Sequence, residues 1–354
     1  MADIRAPRIA AMDIARGFAI LCVVVGHSGG FGIPEEVINF CFTFHMPLFF
    51  IVSGYFMRPD LKLDRAFFRK NVRTLIYPYV LTSLVVVLLT FIVGIVLGHP
   101  SVLADARTMA IAALYGSGTN AGMPEGIRYI GAIWFLLALF WARLFLVAAN
   151  SCPFTPWIVA GLFTVGYASV DHMLPWAIQP GLCATLFLYI GQKMREQDVF
   201  ALKRLPGIIW VAIGGGWLYT IVCGGHLYMV GNVYKDGIAI DVMGGVCGTM
   251  CIIKLALILE QIIPRITAGF ALLGTATLPF FCMHLVELDV LPWRSVIVML
   301  ETLPLPLWLT GLMLRFGCIA ILMIVLYVTP SFISGIFYPS RRKNKSFLAD
   351  SGRR

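Results

Sequence analysis

Apolar runs recur along the whole chain, most of them close to the length of a membrane span, and short polar or charged stretches separate them. An α-helix rises about 1.5 Å per residue, so about twenty residues cross the roughly 30 Å hydrocarbon core of a bilayer. The pattern predicts about ten transmembrane helices in an all-α polytopic integral membrane protein. We place the spans near residues 10–30, 36–57, 74–98, 130–150, 155–172, 175–192, 207–225, 237–260, 270–290 and 306–332.

The segment at 103–116 is apolar but is not counted as a crossing. It carries Asp105 and Arg107, and it runs into a glycine-containing loop at 116–120. Both features are typical of a helix that ends at a loop without spanning the membrane. We expect a short interfacial or re-entrant helix here.

Composition agrees with the membrane assignment. Of the 354 residues, 59% are hydrophobic and 13% are charged, whereas soluble domains carry about 25% charged residues. The net charge of +9 does not indicate nucleic acid, because the basic residues lie in short loops between apolar runs. The nine cysteines form no CxxC pair and no Cys/His cluster, so we predict no metal site. We expect the first helix to be retained, since Arg16 interrupts any signal-peptide core.

The distribution of positive charge predicts the orientation of the chain. With a cytoplasmic N-terminus, the outer segments hold only Arg107, Arg128, Lys235 and Arg294. The inner segments then hold Arg5, Arg8, Arg58, Lys62, Arg65, Arg69, Lys70, Arg73, Lys193, Arg195, Lys203, Arg204, Arg265 and a basic tail over 341–354. Because cytoplasmic loops carry the excess of Lys and Arg, both termini should be cytoplasmic.

Arg16 and His27 are the unexpected residues of the first apolar run. Eleven residues make about three helical turns, so the two side chains share one face about 16 Å apart along the axis. Asp13 lies on the same face and can pair with Arg16. Ionisable groups inside a membrane segment usually face the protein interior or a wet cavity. Either the pair forms a functional site, or both side chains merely extend to the two interfaces.

Further polar groups follow in the second and third spans. His45 precedes Pro47, which frees backbone groups, so His45 has a possible structural role as a hydrogen-bond partner. Arg65, Arg69 and Arg73 recur at every fourth residue before the third span. This basic stripe suits either anionic lipid at the cytoplasmic surface or the phosphates of a nucleotide-bearing donor.

The last two spans also carry polar residues. His284 lies at a depth comparable with that of His27, with Glu287 and Asp289 nearby in sequence. It is either a second proton relay or acceptor-binding group, or a histidine that bridges helices. Arg315 lies well inside the tenth span and is expected to pair with Glu287. Trp134 is expected to serve in aromatic packing or in a membrane-interface belt rather than as a platform for the acceptor. Gly244 and Gly248 predict close helix packing, while Asp241 and Lys254 have no assigned role.

These residues together resemble a known family. Arg16 and His27, with ten residues between them, resemble the Arg-x10-His motif of the membrane acyltransferase 3 family. The resemblance continues through His45-Met-Pro-Leu-Phe-Phe-Ile-Val-Ser-Gly-Tyr55, the basic segment ending Tyr77-Pro78-Tyr79, Trp134-Phe135-Leu136 and Leu278-Pro279-Phe280-Phe281-Cys282-Met283-His284. The stand-alone bacterial subgroup that includes fucose 4-O-acetylase-like proteins is the most similar. The resemblance covers most of the chain and implies a membrane acyltransferase domain over 1–340.

The family resemblance implies an activity for the chain. It implies transfer of an acyl group, usually acetyl, from cytoplasmic acetyl-CoA to a hydroxyl of a cell-envelope glycan or its lipid-linked precursor. No bound cofactor is expected, since acetyl-CoA is the donor substrate, and the location implied is the bacterial inner membrane. The partners are the lipid bilayer, the acyl-CoA and the saccharide acceptor, with no nucleic acid.

Roles for the matched residues follow from their chemistry. His27 is the candidate base for the hydroxyl, or the nucleophile that carries the acyl group. Arg16 is expected to bind donor phosphate or orient the thioester, with other phosphates held by Arg65, Arg69 and Arg73. His284 is a second catalytic candidate. The supporting residues are Asp13, His45, Trp134, Glu287 and Arg315.

Two other classes of protein remain open at the level of sequence. One is a secondary transporter that uses the histidines and Arg16 as a relay, which inverted repeats between the two halves of the chain would support. The sequence shows no obvious similarity between its halves. The other is a non-catalytic partner in an envelope assembly complex, which would tolerate loss of His27.

Overall fold

The computed structural model describes residues 9–201, 205–225 and 227–338. Both chain ends, including the predicted basic tail at 341–354, lie outside the described residues. Within them the fold is helical apart from one two-stranded antiparallel hairpin, β1 (Leu227–Tyr228) and β2 (Val233–Tyr234). The helices are α1 (Ala10–Gly26), α2 (Glu35–Tyr55), α3 (Arg65–Asn71), α4 (Tyr77–Val96), α5 (Val102–Tyr115), α6 (Trp134–Asn150), α7 (Thr155–Ala168), α8 (Ile178–Glu196), α9 (Gly207–Val222), α10 (Ile238–Ile262), α11 (Pro264–Thr275), α12 (Thr277–Val290), α13 (Trp293–Leu300), α14 (Leu307–Val328) and α15 (Ser331–Phe337).

Apolar helices that are long enough to cross a membrane confirm a multi-pass membrane protein. Five helical stretches in the described part of the chain qualify by length and composition, and the bent pair α11–α12 makes up to six. The five are Glu35–Tyr55, Arg65–Val96, Gly131–Asn150, Ile238–Ile262 and Leu307–Val328. Helices α7 and α9 are apolar but shorter. The count of ten crossings and the cytoplasmic placement of the termini stay predictions.

The ninth span predicted at 270–290 falls on a bent pair of helices that together qualify as one candidate span. The chain forms two helices there, α11 and α12, and their axes meet at 72° across Ala276. Pro279 lies in the first turn of α12 and lacks the N–H that a continuous helix would direct back to the Thr275 carbonyl. Thr277 and Leu278, at the start of α12, line a cavity between the helices.

The basic stripe lies on a helix that is not regular. Residues Val72–Ile76 form a π-helical turn between α3 and α4, so the three pieces make one 32-residue helical unit. A π-helical turn inserts an extra residue into the helix and is frequent at functional sites. The short helix expected at 103–116 is present as α5, and Ala113 of this helix accepts a hydrogen bond from the Tyr79 hydroxyl at 2.6 Å.

Close glycine contacts hold the helices together. A Cβ at Gly274 of α11 would lie 1.8 Å from the Asp13 carbonyl oxygen of α1, and one at Gly17 of α1 would lie 2.0 Å from the Phe270 carbonyl oxygen. Without side chains at these positions the two helix backbones touch, as is common between membrane helices. The packing predicted for Gly244 and Gly248 is confirmed: both face α9, and a Cβ at Gly248 would lie 2.7 Å from the Trp217 indole nitrogen.

Candidate active site

Two cavities lie between α1, α2, α6 and α12. The Arg16 cavity encloses about 300 Å³. The His27 cavity encloses about 330 Å³ and is also lined by the loop before α6 and by the β1–β2 hairpin. Residues of α1 line both, since Arg16, Ile20 and Val23 face the first cavity and His27 faces the second.

Met46 of α2 lines both cavities. On α6, two consecutive residues line different cavities: Trp134 lines the His27 cavity and Phe135 lines the Arg16 cavity. The two spaces are therefore adjacent, and a flexible thioether side chain lies between them.

Arg16 carries the ion pair that the sequence predicts. Its guanidinium Nη2 bonds to the Asp13 carboxylate three residues earlier, and 30% of the Arg16 side chain is exposed. Its Nε is buried and has no hydrogen-bond partner among the described residues. Arg16 thus keeps donor capacity toward the cavity while Asp13 fixes its orientation.

His27 ends α1 with its ring in a defined tautomer. Its Nδ1 lies 2.8 Å from the Val23 carbonyl oxygen, which only accepts hydrogen bonds, so Nδ1 carries the hydrogen. In the neutral ring Nε2 then keeps its lone pair, as a base or a nucleophile requires. His45 repeats the arrangement with the Cys41 carbonyl at 2.5 Å and lines the same cavity.

His284 lies next to His27, as their comparable predicted depth allows. The two ring centroids are 5.6 Å apart with the rings edge to face. The fully buried His284 places its Nδ1 3.1 Å from a Glu287 carboxylate oxygen, which makes Nδ1 the donor if the carboxylate is ionised. Its Nε2 is buried without a hydrogen-bond partner in the described structure. Two imidazole groups with acceptor Nε2 atoms therefore lie side by side.

Arg315 forms the predicted pair with Glu287 and extends further. Its Nε and Nη2 donate to the two Glu287 carboxylate oxygens at 2.8 and 3.1 Å. Its Nη1 donates to the His27 carbonyl oxygen at 2.7 Å and to the Ser28 hydroxyl at 2.6 Å. With none of the side chain exposed, Arg315 joins α14 to α12 and to the end of α1 that carries His27.

The His27 cavity has an aromatic and acidic lining. Trp134 is 5% exposed and packs against Gly118 in the cavity wall, so of the two predicted roles the structure shows aromatic packing and not a membrane belt. Tyr129 and Tyr228 add two phenols, and burial raises the pKa of the Tyr228 phenol, which keeps it protonated. Asp289 contributes a carboxylate whose Oδ2 has no hydrogen-bond partner within the described residues.

The structure does not bring the basic stripe into the Arg16 cavity. Arg65, Arg69 and Arg73 are exposed on the surface. Their helical unit contributes Thr74 and Leu75 to the cavity wall instead. The stripe therefore lies beside this cavity and not within it.

Sequence reasoning missed Arg143 of α6 and the loops that cover the His27 cavity. Arg143 lines the Arg16 cavity. An arginine within the apolar run at 130–150 was the signal, because such residues are costly and usually functional. The covering segments, which include residues 116–133, are largely irregular, and no periodic pattern indicates where they pack.

The fold and the two adjacent cavities define a helical membrane protein with histidine side chains in its interior. A family model for the acyltransferase domain, Acyl_transf_3, matches residues 9–332, and the chain belongs to the acyltransferase 3 family. Family membership supports membrane acyltransferase activity. No curated protein and no solved structure matches the chain.

Proposed function

We propose that this protein is an O-acetyltransferase of the bacterial inner membrane. It transfers acetyl from cytoplasmic acetyl-CoA to a hydroxyl of a cell-envelope glycan or of its lipid-linked precursor. The observation that carries the proposal is the shared side chain Met46, which lines both cavities. A donor held by cations on one side and an acceptor held near an imidazole on the other can then meet within one protein.

The Arg16 cavity suits the donor. Acetyl-CoA is polyanionic, and guanidinium groups bind phosphate through parallel hydrogen bonds. Arg16 lies about 16 Å from His27 along an unbroken helix. This separation favours contact with donor phosphates over contact with a thioester beside His27. The largely apolar wall between them suits the uncharged arm that carries the thioester.

His27 Nε2 is the reactive atom in both proposed routes, as a base in one and as a nucleophile in the other. In direct transfer it accepts the proton of the acceptor hydroxyl while the hydroxyl oxygen attacks the thioester carbonyl carbon. The C–S bond then breaks, and the CoA thiolate takes the proton from His27. In the covalent route Nε2 attacks the thioester carbonyl, and the C–S bond breaks to release the CoA thiolate. The hydroxyl oxygen then attacks the acyl group, the N–C bond breaks, and the hydroxyl proton passes to the CoA thiolate. Both routes need the Nδ1–H tautomer. The proposed proton-relay partner is His284, whose ring centroid is 5.6 Å from that of His27.

The His27 cavity suits a saccharide acceptor. Aromatic rings such as Trp134, Tyr129 and Tyr228 give flat amphipathic surfaces on which a sugar ring can rest. The Asp289 carboxylate and the protonated Tyr228 phenol supply an acceptor and a donor for sugar hydroxyls. A few convergent polar groups in a largely apolar pocket are typical of a small-molecule site.

Envelope glycan acetylation tests the proposal. Mass spectrometry of glycans from cells with and without this protein should show an acetyl group that depends on it. Purified protein should also move labelled acetyl from acetyl-CoA to the same glycan in vitro. Unchanged acetylation together with substrate movement across vesicles would instead favour the transporter.

A further inference from the structure

Arg143 is the charged residue of the Arg16 cavity that has no counter-charge. It lies on α6, and no hydrogen bond or ion pair joins it to another described residue. Its Nε is buried. Arg143 is half-buried in a mostly apolar cavity wall, where a guanidinium without a counter-charge is unfavourable. No carboxylate among the described residues offsets this charge.

Two other arginines within the helices are each paired with a carboxylate. Arg315 is held by Glu287 and Arg16 by Asp13. The side chains around the Arg16 cavity include Ser53, Thr74 and Thr277 but no carboxylate. Two guanidinium groups with a single neighbouring carboxylate, Asp13, leave the cavity with excess positive charge. An anionic group of a ligand would neutralise this excess charge.

We propose that Arg143 and Arg16 together form a phosphate site inside the Arg16 cavity that holds the diphosphate of the acyl-CoA donor. The inference rests on the proposed function and assigns one part of that donor to one pair of residues. The diphosphate adjoins the arm that must enter the cavity to bring the thioester toward Met46. The 3′-phosphate lies on the ribose, on the far side of the diphosphate from the thioester, and is left to the exposed Arg65, Arg69 and Arg73.

Binding of CoA and of dephospho-CoA tests the assignment. Arg143→Met keeps an unbranched apolar side chain and removes the charge. Calorimetric titration of purified protein in nanodiscs of neutral lipid should show at least about a tenfold loss of affinity, because a charge-assisted hydrogen bond is lost. The loss should be the same for both ligands, since both contain the diphosphate. Arg265→Met, at an exposed position away from the cavity, should bind both ligands as the wild type does.

Thermal unfolding separates ligand binding from a structural role. Removal of an unpaired charge should leave the unliganded Arg143→Met protein at least as stable as the wild type. CoA should raise the unfolding temperature of the wild type, and much less that of the variant, at a concentration near the wild-type Kd. A lower unfolding temperature for the unliganded variant, with CoA affinity intact, would make Arg143 structural and overturn the inference.

The remaining outcomes identify the anion. A loss seen with CoA but not with dephospho-CoA would assign Arg143 to the 3′-phosphate and overturn the diphosphate assignment. In nanodiscs with phosphatidylglycerol, stabilisation that depends on Arg143 and that CoA does not displace would assign the site to a lipid headgroup. If the wild type binds no CoA at all, the proposed function fails first; if it binds and Arg143→Met binds equally well, only this inference fails.

Discussion

At the scale of single residues, the site depends on which nitrogen of each imidazole is engaged. The Val23 carbonyl occupies His27 Nδ1, and the Glu287 carboxylate occupies His284 Nδ1. Both rings then present Nε2 as an acceptor in their neutral forms. A carboxylate or carbonyl on the far nitrogen is a common way to fix the tautomer of a functional histidine.

Replacement of His27 by glutamine should abolish most activity without unfolding the protein. His27→Gln keeps a polar side chain of similar reach but removes the titratable nitrogen. We expect acyl transfer to fall by at least about 10²-fold, the scale of general acid–base catalysis. Transfer of labelled acetyl by purified protein measures it, with size-exclusion chromatography as the folding check. His99→Gln, at an exposed position, is the control, and near-normal transfer by His27→Gln would refute the catalytic role.

Loss of Arg315 should be far more damaging than loss of the whole ion pair. Arg315→Met leaves the Glu287 charge buried, which typically costs about 3–5 kcal/mol. The double variant Arg315→Met/Glu287→Gln removes both charges and should recover a large part of that stability. Equilibrium unfolding in detergent measures the free energy of unfolding of the wild type, of the single variants Arg315→Met and Glu287→Gln, and of the double variant. Strict additivity of the two changes would contradict a direct energetic coupling between them.

At the scale of elements, contact between helix backbones positions the site. Gly274 of α11 allows the Asp13 carbonyl of α1 to approach, and Asp13 in turn holds Arg16. The packing of α1 on α11 and the orientation of the donor-side arginine are therefore linked through one residue.

Two glycine-to-alanine changes on α11 should have opposite effects. At Gly274 an added Cβ would lie 1.8 Å from the Asp13 carbonyl oxygen, so the backbones must separate, at a cost of about 1–3 kcal/mol. At Gly269 nothing lies within 4 Å of an added Cβ. Alanine at this position should therefore stabilise the helix by about 0.5–1 kcal/mol. Thermal unfolding of Gly274→Ala and Gly269→Ala measures both effects. Equal stability of the two variants would argue against close α1–α11 packing.

The sequence predicted individual helices and pairs of oppositely charged residues better than it predicted breaks in helices and contacts between distant segments. Helical periodicity places Asp13, Arg16 and His27 on one face, and the cost of a buried arginine led to Glu287 as the partner of Arg315. The bend at Ala276 was missed because Pro279 is compatible with the first turn of a new helix as well as with a kinked span. The partnership between His27 and His284 depends on how distant helices pack, which one chain's pattern does not encode.

At the scale of the whole molecule, the two cavities give the proposed reaction a direction. The Arg16 cavity lies toward the start of α1 and the His27 cavity toward its end. If the N-terminus is cytoplasmic, as the charge distribution predicts, the donor side faces the cytoplasm and the acceptor side faces outward.

Labelled acetyl-CoA should therefore support transfer from one membrane face only. In vesicles of known orientation, donor on the face where α1 begins should label the acceptor, and donor on the opposite face should not. A tag at the C-terminus, tested by protease accessibility, establishes the orientation. Transfer supported solely by donor on the outer face would contradict the assignment of the Arg16 cavity to the donor.

The attachment of α1 at both ends has a consequence for motion. Alternating access requires groups of helices to rock about a central site. Here the backbone of α1 touches α11 near Asp13, and Arg315 ties its other end to α12 and α14. Such a helix is poorly suited to rocking. The side chain that lies between the two cavities, Met46, needs only bond rotation to move. Such rotation takes picoseconds to nanoseconds in mobile side chains, rather than the microseconds to milliseconds of helix rearrangement.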